Sequence, residues 1–582
     1  MKKYVKKILA LAIVVTMVFS LGATALAAEF TDMPASNHWA YNALNAAVTN
    51  NLLKGDNNKL NPEANLKRAE MAAIINRAFG ANQAANISSY TDVLTTSWYY
   101  SDIAKAVLMG TFNGDGTSTM RPESAITRQE AFVVLARAIK LTDGNATALD
   151  KFSDKALVAD WAKGALAGMV SAGYVNGSYG KLNPTGTITR QEFAQVVYNT
   201  VKSYISTPGT VTAVADGNVM VNVAGVTLKN LTVKGDLVVG DGVANGDFTL
   251  DNVKIVGRLV VRGGGKNSIK IINHSSVGDI VVSKTSDGAV RVVSDSTSSV
   301  EVVYVDDGKD GIIVEGTVTT LTIAGTTDVE IKGAVKNVIV TAEAKGAEII
   351  VAAGATVEKL ESNANNVIVS GEGKVTAATV NGDNSAINIV GTKVTVDKDA
   401  EGTTTNGTTV ESGKEVVVEK PATGGGGPSA PLPLLESYID TLFGLGIADL
   451  NDLQNNTELG FNSTTNAITC VINTSNHSDD LAISAVITTI ETGLNLQTAA
   501  KKQFAQNYIA TYVKSIRVAS GTTLTVNSST TAVNVAAFII SGFNITNTNA
   551  PLSSFNNNTF NIVVTDTNNN TITYTLTVSL AA

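Results

Sequence analysis

Residues 127–132 read Thr-Arg-Gln-Glu-Ala-Phe, and residues 189–193 read Thr-Arg-Gln-Glu-Phe. A third copy, Arg68-Ala69-Glu70, lies upstream, so an Arg-x-Glu core recurs at two almost equal spacings, from position 68 to 128 and from 128 to 190. The same two spacings separate Asp32, Asp92 and Asp154, and also Pro62, Pro122 and Pro184. The three tryptophans, Trp39, Trp98 and Trp161, each follow one of these aspartates closely. Several residue types kept in one register indicate a supersecondary unit used three times.

Each copy predicts a helix, a loop and a second helix. Apolar residues five and nine positions after each tryptophan fall on one helical face. A glycine (Gly55, Gly114 or Gly177) and then the repeated proline end the first helix and set a turn. Thr127 and Thr189 then match the N-cap of a capping box, with a glutamate at the third helical position. One helical hairpin of this size has little core of its own, so we expect the copies to pack against one another.

The arginine of each copy falls at the first position of the second helix, where the helix macrodipole is positive. A cation there costs about a few tenths of a kcal/mol, whereas an anion is favoured. Repeating this choice at Arg68, Arg128 and Arg190 predicts an external anion, since a guanidinium suits a carboxylate and the helix N-terminus adds donors. The tryptophans are candidates for stacking on a sugar. The alternatives are that the arginines pair with aspartates of the protein and that the tryptophans pack in the core.

The pattern Phe30-Thr31-Asp32, Trp39, Gly55, Asn61-Pro62 and Arg68-Ala69-Glu70, with its two echoes, resembles the S-layer homology domain. The resemblance covers residues 29–205 and implies a three-pronged helical bundle with grooves between the copies. It also implies non-covalent binding of secondary cell-wall polysaccharide that carries anionic pyruvyl ketals. The candidate polysaccharide-binding residues are Arg68, Arg128, Arg190, Trp39, Trp98, Trp161, Gly55, Gly114, Gly177, Asp32, Asp92 and Asp154.

The first copy departs from this pattern, because Lys67 stands where Thr127 and Thr189 precede the arginine in the other copies. The change removes a hydroxyl N-cap, which is worth about 1 kcal/mol, and adds a cation. We expect the first groove to bind with altered affinity or its helix to be capped by Asn65 in a shifted register. The three sites are therefore not expected to be equivalent.

The N-terminus predicts export. Four lysines precede the apolar stretch 8–21, and Ala25-Leu26-Ala27 matches a cleavage signal, so residues 1–27 are predicted to be a signal peptide. An uncleaved anchor is the alternative, although the stretch is shorter than the roughly 20 residues of a membrane span. We expect a secreted protein with no membrane contact after cleavage. The formal net charge of −8 gives no general attraction for nucleic acid.

Residues 209–420 are predicted to form a parallel β-solenoid. Phe248 and Tyr304 are the only aromatic side chains between residues 210 and 418. Short apolar triplets recur at near-constant spacing; they are Leu237-Val238-Val239, Leu259-Val260-Val261, Ile280-Val281-Val282, Val300-Glu301-Val302 and Leu321-Thr322-Ile323. A second series, at 231–233 and 253–255, keeps the spacing of the first two triplets. Brief strands at near-constant spacing favour a solenoid; a tandem of β-sandwiches is the alternative.

The charges of the predicted solenoid indicate a spacer more than an enzyme. The densest group, at 305–310, holds Asp306, Asp307, Lys309 and Asp310 and is read as a loop. Arg258 and Arg262 flank one triplet and predict a small basic spot. Carboxylates on adjoining coils could serve catalysis or bind calcium, but the EF-hand spacing is absent. The three histidines lie far apart, with no zinc spacing. We therefore expect no catalytic residues, metal or cofactor.

The last part of the chain predicts a tether and a separate module. Residues 421–433 hold four of the ten prolines and a run of glycines, which is typical of a linker. Residues 434–582 are predicted to be a small α+β module with helices at 434–445 and 499–516. Alternating stretches on either side of 568–570 predict a hairpin, which resembles the last hairpin of immunoglobulin-like modules of bacterial surface proteins.

Together these features predict an exported multidomain protein, with all-α repeats at 28–87, 88–149 and 150–208, then an all-β solenoid, then the α+β module. The predicted function is non-covalent anchoring at the bacterial cell wall through secondary polysaccharide with anionic substituents, in a structural or S-layer role. Self-association in a surface layer fits this prediction. The alternatives are a wall-anchored adhesin and a wall-anchored polysaccharide-degrading enzyme.

Overall fold

The computed structural model describes residues 30–420, apart from Asp115 and Thr117, and the backbone of six strands between residues 457 and 581. The predicted signal peptide, linker and helix at 434–445 lie outside the described residues. The chain divides into two compact units. The first contains residues 30–385, 391–401 and 412–417 of the described chain, and therefore holds the helical repeats and most of the solenoid.

Six α-helices and two short 3-10 helices form the described repeats. The α-helices are α1 (Tyr41–Thr49), α2 (Arg68–Phe79), α3 (Tyr100–Leu108), α4 (Arg128–Ala138), α5 (Asp160–Ser171) and α6 (Arg190–Thr200), and the 3-10 helices are Ala146–Leu149 and Lys155–Leu157. The expected helix–loop–helix order is present. The main partner of each helix, however, belongs to a neighbouring repeat: α2 packs against α3, α4 against α5, and α6 against α1.

The residue two positions before each repeated arginine closes the bundle at its centre. The amide of Leu66 donates to the carbonyl of Ile188 at 2.9 Å, that of Ile126 to Leu66 at 2.9 Å, and that of Ile188 to Ile126 at 3.1 Å. All three side chains are fully buried in one hydrophobic core. Because each repeat depends on the other two for these hydrogen bonds, the three copies form one cooperative unit.

Twenty-three short strands, with one 3-10 helix at Asp241–Val243, follow the bundle. They are β1 Ser203–Ile205, β2 Gly209–Val211, β3 Val219–Val221, β4 Val226–Val233, β5 Leu237–Val239, β6 Phe248–Val261, β7 Lys270–Ile272, β8 Ser276–Lys284, β9 Val290–Ser294, β10 Ser299–Gly308, β11 Ile312–Glu315, β12 Thr317–Ile323, β13 Val329–Ile331, β14 Ala334–Val340, β15 Glu348–Val351, β16 Thr356–Ser362, β17 Ile368–Ser370, β18 Lys374–Val380, β19 Ala386–Ile387, β20 Lys393–Val396, β21 Thr404–Thr405, β22 Thr408–Thr409 and β23 Glu415–Val417.

These strands form parallel ladders that wind through about ten turns, which confirms the solenoid over the tandem sandwich. Leu237 pairs with Leu259, and Leu259 pairs with Ile280, as the triplet spacing predicts. Inward-facing valine, leucine and isoleucine alternate with outward polar residues along many of the strands, such as β12, β14 and β18, so the core is a stack of aliphatic side chains. The ladder begins at Ser203, a few residues before the predicted boundary at 209. β20 pairs antiparallel with β23 and so ends the parallel series.

One predicted triplet was assigned to the wrong register. Ile280 pairs with Val303 on the next coil, whereas Val300 pairs with Val277, earlier in the same strand as Ile280. Apolar residues stand at position 300 and at every position from 302 to 305, so the sequence offers two registers that differ in their inward face. Burial of Val303 and Val305 decides between them, and Tyr304 consequently faces outward.

Six further strands form a separate mixed sheet. They are β24 Thr457–Asn462, β25 Ala467–Asn473, β26 Val513–Val518, β27 Thr523–Thr525, β28 Asn558–Asp566 and β29 Thr571–Ala581, in the order β24-β25-β29-β28-β26-β27. β28 and β29 pair antiparallel around residues 568–570. Residues 513–516, predicted to end a helix, instead lie in β26, where the backbone pairs with β27 and β28. The remainder of that helix lies outside the described residues, and the α+β class and immunoglobulin likeness of the module stay predictions.

Candidate functional site

Each repeated arginine forms an ion pair with the capping glutamate of another repeat. The pairs are Arg68–Glu130 at 3.1 Å, Arg128–Glu192 at 2.9 Å and Arg190–Glu70 at 2.8 Å. They run from the first repeat to the second, from the second to the third, and from the third back to the first. The three ion pairs therefore close a ring around the bundle.

The arginines and the repeated aspartates hold the same loop residue from opposite sides. Arg190 Nε donates to the carbonyl of Leu60 at 2.8 Å, and the amide of Leu60 donates to Asp32 Oδ1 at 2.7 Å. The equivalent sets are Arg68–Met120–Asp92 and Arg128–Leu182–Asp154. Desolvation opposes ionisation of Asp32, but the amides of Leu60 and Asn61 outweigh it and lower the pKa of that carboxyl. These hydrogen bonds to one loop residue thus explain why the aspartates and the arginines recur at the same spacing.

The first two backbone amides of the second helices are also occupied by the protein. In α6, the amide of Arg190 donates to the carbonyl of Ala64 at 3.0 Å, and that of Gln191 donates to Pro62 at 2.9 Å. The corresponding amides of α2 and α4 donate to carbonyls of the neighbouring repeats. Arg68 and Arg190 are only 6% and 8% exposed. The structure therefore shows the alternative of pairing within the protein, with glutamates as the partners in place of aspartates.

Arg128 is the most open of the three arginines of the ring. Its side chain is 13% exposed, and that of its partner Glu192 is 36% exposed. Arg190 uses Nη2 for the carbonyl of Lys54 at 2.8 Å, whereas Arg128 Nη2 has no hydrogen-bond partner among the described residues. Nη2 of Arg128 is also absent from the buried donors of the described chain that lack a partner, so it can reach solvent.

Glu130 is held in its ionised form. Burial of this carboxyl opposes ionisation, but the amide and hydroxyl of Thr127 and the charge of Arg68 lower its pKa below the usual value. One of its oxygens accepts from Thr127 and the other from Arg68, so the glutamate caps its own helix and pairs with another repeat.

The three candidate glycines serve close packing inside their own repeats. A Cβ atom on Gly55 would lie 2.3 Å from the ring of Phe30, and one on Gly114 would lie 2.6 Å from the ring of Tyr90. Gly177 has φ +69° and a Cβ there would lie 2.6 Å from the ring of Phe152. Any larger residue would push an aromatic side chain out of place, so these positions are explained by packing without a ligand.

The three tryptophans lie on the surface and not in the core. Trp39, Trp98 and Trp161 are 55%, 60% and 57% exposed. Trp39 lies beside the ring of His38, and Trp98 beside that of Tyr99, each with centroids 5.4 Å apart. The same large side chain is therefore exposed at the equivalent position of all three repeats. Of the predicted residues, the tryptophans are the ones available to an external partner in all three copies.

The N-cap of α2 is Lys67 itself, without a capping side chain. Asn65 does not cap this helix in a shifted register, because its Oδ1 accepts from the hydroxyl of Thr187 at 2.9 Å. The side chain of Lys67 instead pairs with Glu123 at 2.5 Å on the surface. In contrast, Thr127 and Thr189 form the predicted capping boxes.

Replacement of Lys67 by threonine should therefore stabilise the bundle by about 1 kcal/mol, because a hydroxyl cap is gained and only an exposed ion pair is lost. Chemical denaturation followed by tryptophan fluorescence measures the change. Thr127→Ala is the matched control and should cost about the same amount. A Lys67→Thr variant less stable than the natural protein would show that the Glu123 pair matters more than the missing cap.

Sequence reasoning missed the main partners of the arginines. It assigned Glu130 and Glu192 to capping alone, gave Glu70 no role beyond the repeated motif, and did not single out Leu66, Ile126 and Ile188. The available signal was that arginine and glutamate recur together in one register, which is what a ring of ion pairs between repeats requires.

The charged residues of the solenoid also differ from the prediction. Arg258 and Arg262 form no basic spot, because they pair with Asp236 at 2.7 Å and Asp241 at 2.8 Å and lie against the bundle. Asp306, placed in a loop by the sequence, continues strand β10 and pairs with Lys140 at 2.7 Å. Within the described residues, no three acidic, histidine or cysteine side chains gather as a metal site, and every helix is too short or too polar to span a bilayer.

Comparison with known families identifies the repeats. Residues 29–72, 89–132 and 151–194 each match the S-layer homology domain. The chain therefore contains three S-layer homology domains. The matches cover the aspartate, the tryptophan, the loop glycine and the arginine of every copy.

Individual relatives match this chain over a limited part of their length. A surface-layer 125 kDa protein of Lysinibacillus sphaericus is 34% identical over 32% of this chain and 16% of its own length. The S-layer protein EA1 of Bacillus anthracis is 27% identical over 34% of this chain and 23% of its own. The exoglucanase XynX of Acetivibrio thermocellus is 28% identical over 28% of this chain and 15% of its own. The chain thus spans less than a quarter of each of these relatives.

Proposed function

We propose that the helical bundle of residues 30–200 anchors the protein non-covalently to the cell wall by binding secondary wall polysaccharide. The three S-layer homology domains, and relatives named as surface-layer proteins, support a cell-surface location and a structural role in a surface layer. The observation that carries the proposal is the exposure of Trp39, Trp98 and Trp161 at equivalent positions. An indole face packs against the apolar face of a sugar ring.

Negatively charged substituents of the glycan, such as pyruvyl ketals, have one suitable contact in the ring of ion pairs. Arg128 Nη2 reaches solvent and is not used by the protein within the described chain. A carboxylate can accept a charge-assisted hydrogen bond from this nitrogen without breaking the pair with Glu192. We therefore assign the anion contact to Arg128 and sugar stacking to the tryptophans, with Arg68 and Arg190 as residues that hold the fold.

The enzyme alternative is less favoured. The exoglucanase XynX and related enzymes share only the S-layer homology region with this chain. Two of the carboxylates considered for a catalytic site in the solenoid are engaged within the protein, since Asp306 pairs with Lys140 and the amide of Gly288 donates to Asp310.

Replacing Trp39 and Trp98 together by alanine should weaken binding to purified cell walls more than tenfold, because each stacked ring contributes about 1 kcal/mol. Co-sedimentation of the full mature chain with walls measures this loss. Folding should be unaffected, since both side chains are exposed. Tyr179→Ala is the matched control, because Tyr179 is a fully exposed aromatic residue outside the repeated positions.

Undiminished sedimentation of the double variant would refute the role of the tryptophans. Walls without the acidic ketals distinguish the anion contact of Arg128 from sugar stacking by the tryptophans. If Arg128 binds the ketal, the natural protein should bind these walls more weakly than untreated walls. Equal binding before and after removal would exclude the ketal as the ligand.

A further inference from the structure

A cleft of about 860 Å³ lies between the helical bundle and the solenoid, within the first compact unit. Its bundle wall includes Arg137, Lys140 and Trp161, and its solenoid wall includes Asp279 and Tyr304. The volume falls within the range of about 300 to 1,000 Å³ that is usual for ligand sites in proteins. The cleft includes residues of the solenoid and therefore differs from a groove formed by the helical repeats alone.

The cleft brings together two exposed aromatic side chains from different parts of the chain. Trp161 comes from the third repeat, and Tyr304, which is 37% exposed, comes from strand β10. The other aromatic residue between 210 and 418, Phe248, is fully buried. Tyr304, the exposed aromatic residue between 210 and 418, thus lies in the same cleft as Trp161 of the third repeat. Tyr304 points outward because Val303 and Val305 fill the solenoid core.

The charges of the cleft are balanced within the protein. Lys140 pairs with Asp306 at 2.7 Å. Arg258 pairs with Asp236 at 2.7 Å and donates to the carbonyl of Lys140 at 2.5 Å. Exposed residues of both signs complete the lining; they are Arg137, Asp143 and Asp279. A cleft with paired cations and added carboxylates gives no net attraction to a polyanion, and its polar groups suit a neutral ligand rich in hydroxyl or amide groups.

We propose that this cleft binds a short, uncharged stretch of oligosaccharide, with sugar faces against Trp161 and Tyr304. The inference rests on the proposed function only in taking the wall as the source of the glycan. Partial burial, together with the charges of Asp306 and Glu343, raises the pKa of Tyr304, so its phenol stays neutral and can donate to a sugar hydroxyl. The cleft would thus pair Trp161 with Tyr304 of the solenoid and add a contact to uncharged parts of the glycan that Trp39 and Trp98 do not provide.

The test uses the full mature chain and the neutral trisaccharide of N-acetylglucosamine as the probe, with calorimetry and tryptophan fluorescence as readouts. We expect saturable binding, which Tyr304→Ala and Trp161→Ala each weaken about tenfold. Tyr304→Phe should retain most of the affinity, because the stacking face remains. Trp98→Ala is the matched control and should leave trisaccharide binding unchanged, since Trp98 does not line the cleft.

Absence of saturable binding by the natural protein, or unchanged affinity of Tyr304→Ala, would overturn the proposal. The wall experiment with the Trp39 and Trp98 variant distinguishes the two ideas. If that variant loses wall binding while Tyr304→Ala binds the trisaccharide normally, the cleft is refuted and the anchoring function stands. If Tyr304→Ala alone loses the trisaccharide while the other variant keeps its wall binding, the cleft stands and anchoring through Trp39 and Trp98 is refuted.

Discussion

Replacement of Arg190 by alanine is expected to lower the free energy of unfolding of the helical bundle by about 3 to 5 kcal/mol, the range for breaking a buried ion pair. The guanidinium of Arg190 is buried and donates to Glu70 Oε1, the carbonyl of Leu60 and the carbonyl of Lys54, each at 2.8 Å. Its loss leaves Glu70 without its cation and the two carbonyls without this donor. Denaturation with guanidinium chloride, followed by tryptophan fluorescence, reports on the bundle alone, because all three tryptophans lie in it.

Arg121→Ala is the matched control for this variant. Arg121 pairs with Glu130 at 3.2 Å, but its side chain is 48% exposed, so the substitution should cost less than about 1 kcal/mol. A second substitution, Glu70→Gln, should recover part of the stability lost in Arg190→Ala, because it removes the unpaired charge. A loss below about 1 kcal/mol for Arg190→Ala, the value of an exposed pair, would contradict the view that the ring holds the bundle together.

This expectation changes how wall release by arginine variants is interpreted. Arg190→Ala would release the protein by unfolding the bundle, whether or not Arg190 touches a glycan. The exposed tryptophans give a cleaner test of ligand contact, because their replacement leaves the ring of ion pairs intact. Among the three arginines, Arg128 has the most exposed side chain, and it combines a structural pair with an Nη2 donor that solvent can reach.

Local sequence patterns predicted the helix starts and the solenoid strands well, because the residues that determine each of them lie close together in the sequence. The capping boxes at Thr127 and Thr189 and the paired triplets at 237–239 and 259–261 are confirmed. The ring could not be predicted in the same way. Arg190 and Glu70 are 120 residues apart in the sequence, and their contact depends on the third repeat closing onto the first. The helix macrodipole makes a cation at a helix start unfavourable, but the local sequence does not indicate the glutamate of another repeat that neutralises it.

The junction of bundle and solenoid was also beyond sequence reasoning. Arg258 and Arg262 carry no local pattern that indicates a partner, since their acceptors are helix ends far earlier in the chain. Solenoid side chains donate to carbonyls at the ends of four helices: Asn222 to Ala78 of α2, Arg262 to Met109 after α3, Arg258 to Lys140 after α4, and Asn218 to Thr200 of α6. These carbonyls have no partner within their helices, and positive donors favour the negative helix end.

The solenoid therefore completes the bundle and is more than a spacer attached to it. Met220, Val238 and Val260 of the first coils belong to the same hydrophobic core as the helices. Because polar caps and apolar packing are both shared across the junction, we expect the bundle and the first coils to unfold in one transition.

Arg262→Ala should break that coupling and lower the stability of the bundle by about 3 to 5 kcal/mol. Arg262 is fully buried, pairs with Asp241 Oδ2 at 2.8 Å, donates to the carbonyl of Met109 at 2.8 Å and lies over the ring of Phe79. Its removal leaves Asp241 buried without its cation. In thermal unfolding of the full chain, tryptophan fluorescence should then report an earlier transition than far-ultraviolet circular dichroism, whereas the two probes should coincide in the natural protein.

Arg291→Ala is the control, because Arg291 pairs with Glu315 across neighbouring strands at the partly exposed surface of the solenoid. That substitution should cost less than about 1 kcal/mol and leave the two probes coincident. Coincident transitions at the natural midpoint in Arg262→Ala would mean that the apolar contacts of Met220, Val238 and Val260 hold the junction by themselves. Separate transitions already present in the natural protein would mean instead that bundle and solenoid are thermodynamically independent despite their shared core. Arg262 is therefore the residue that tests the coupling, because it is a fully buried charge of the solenoid that contacts the helices directly.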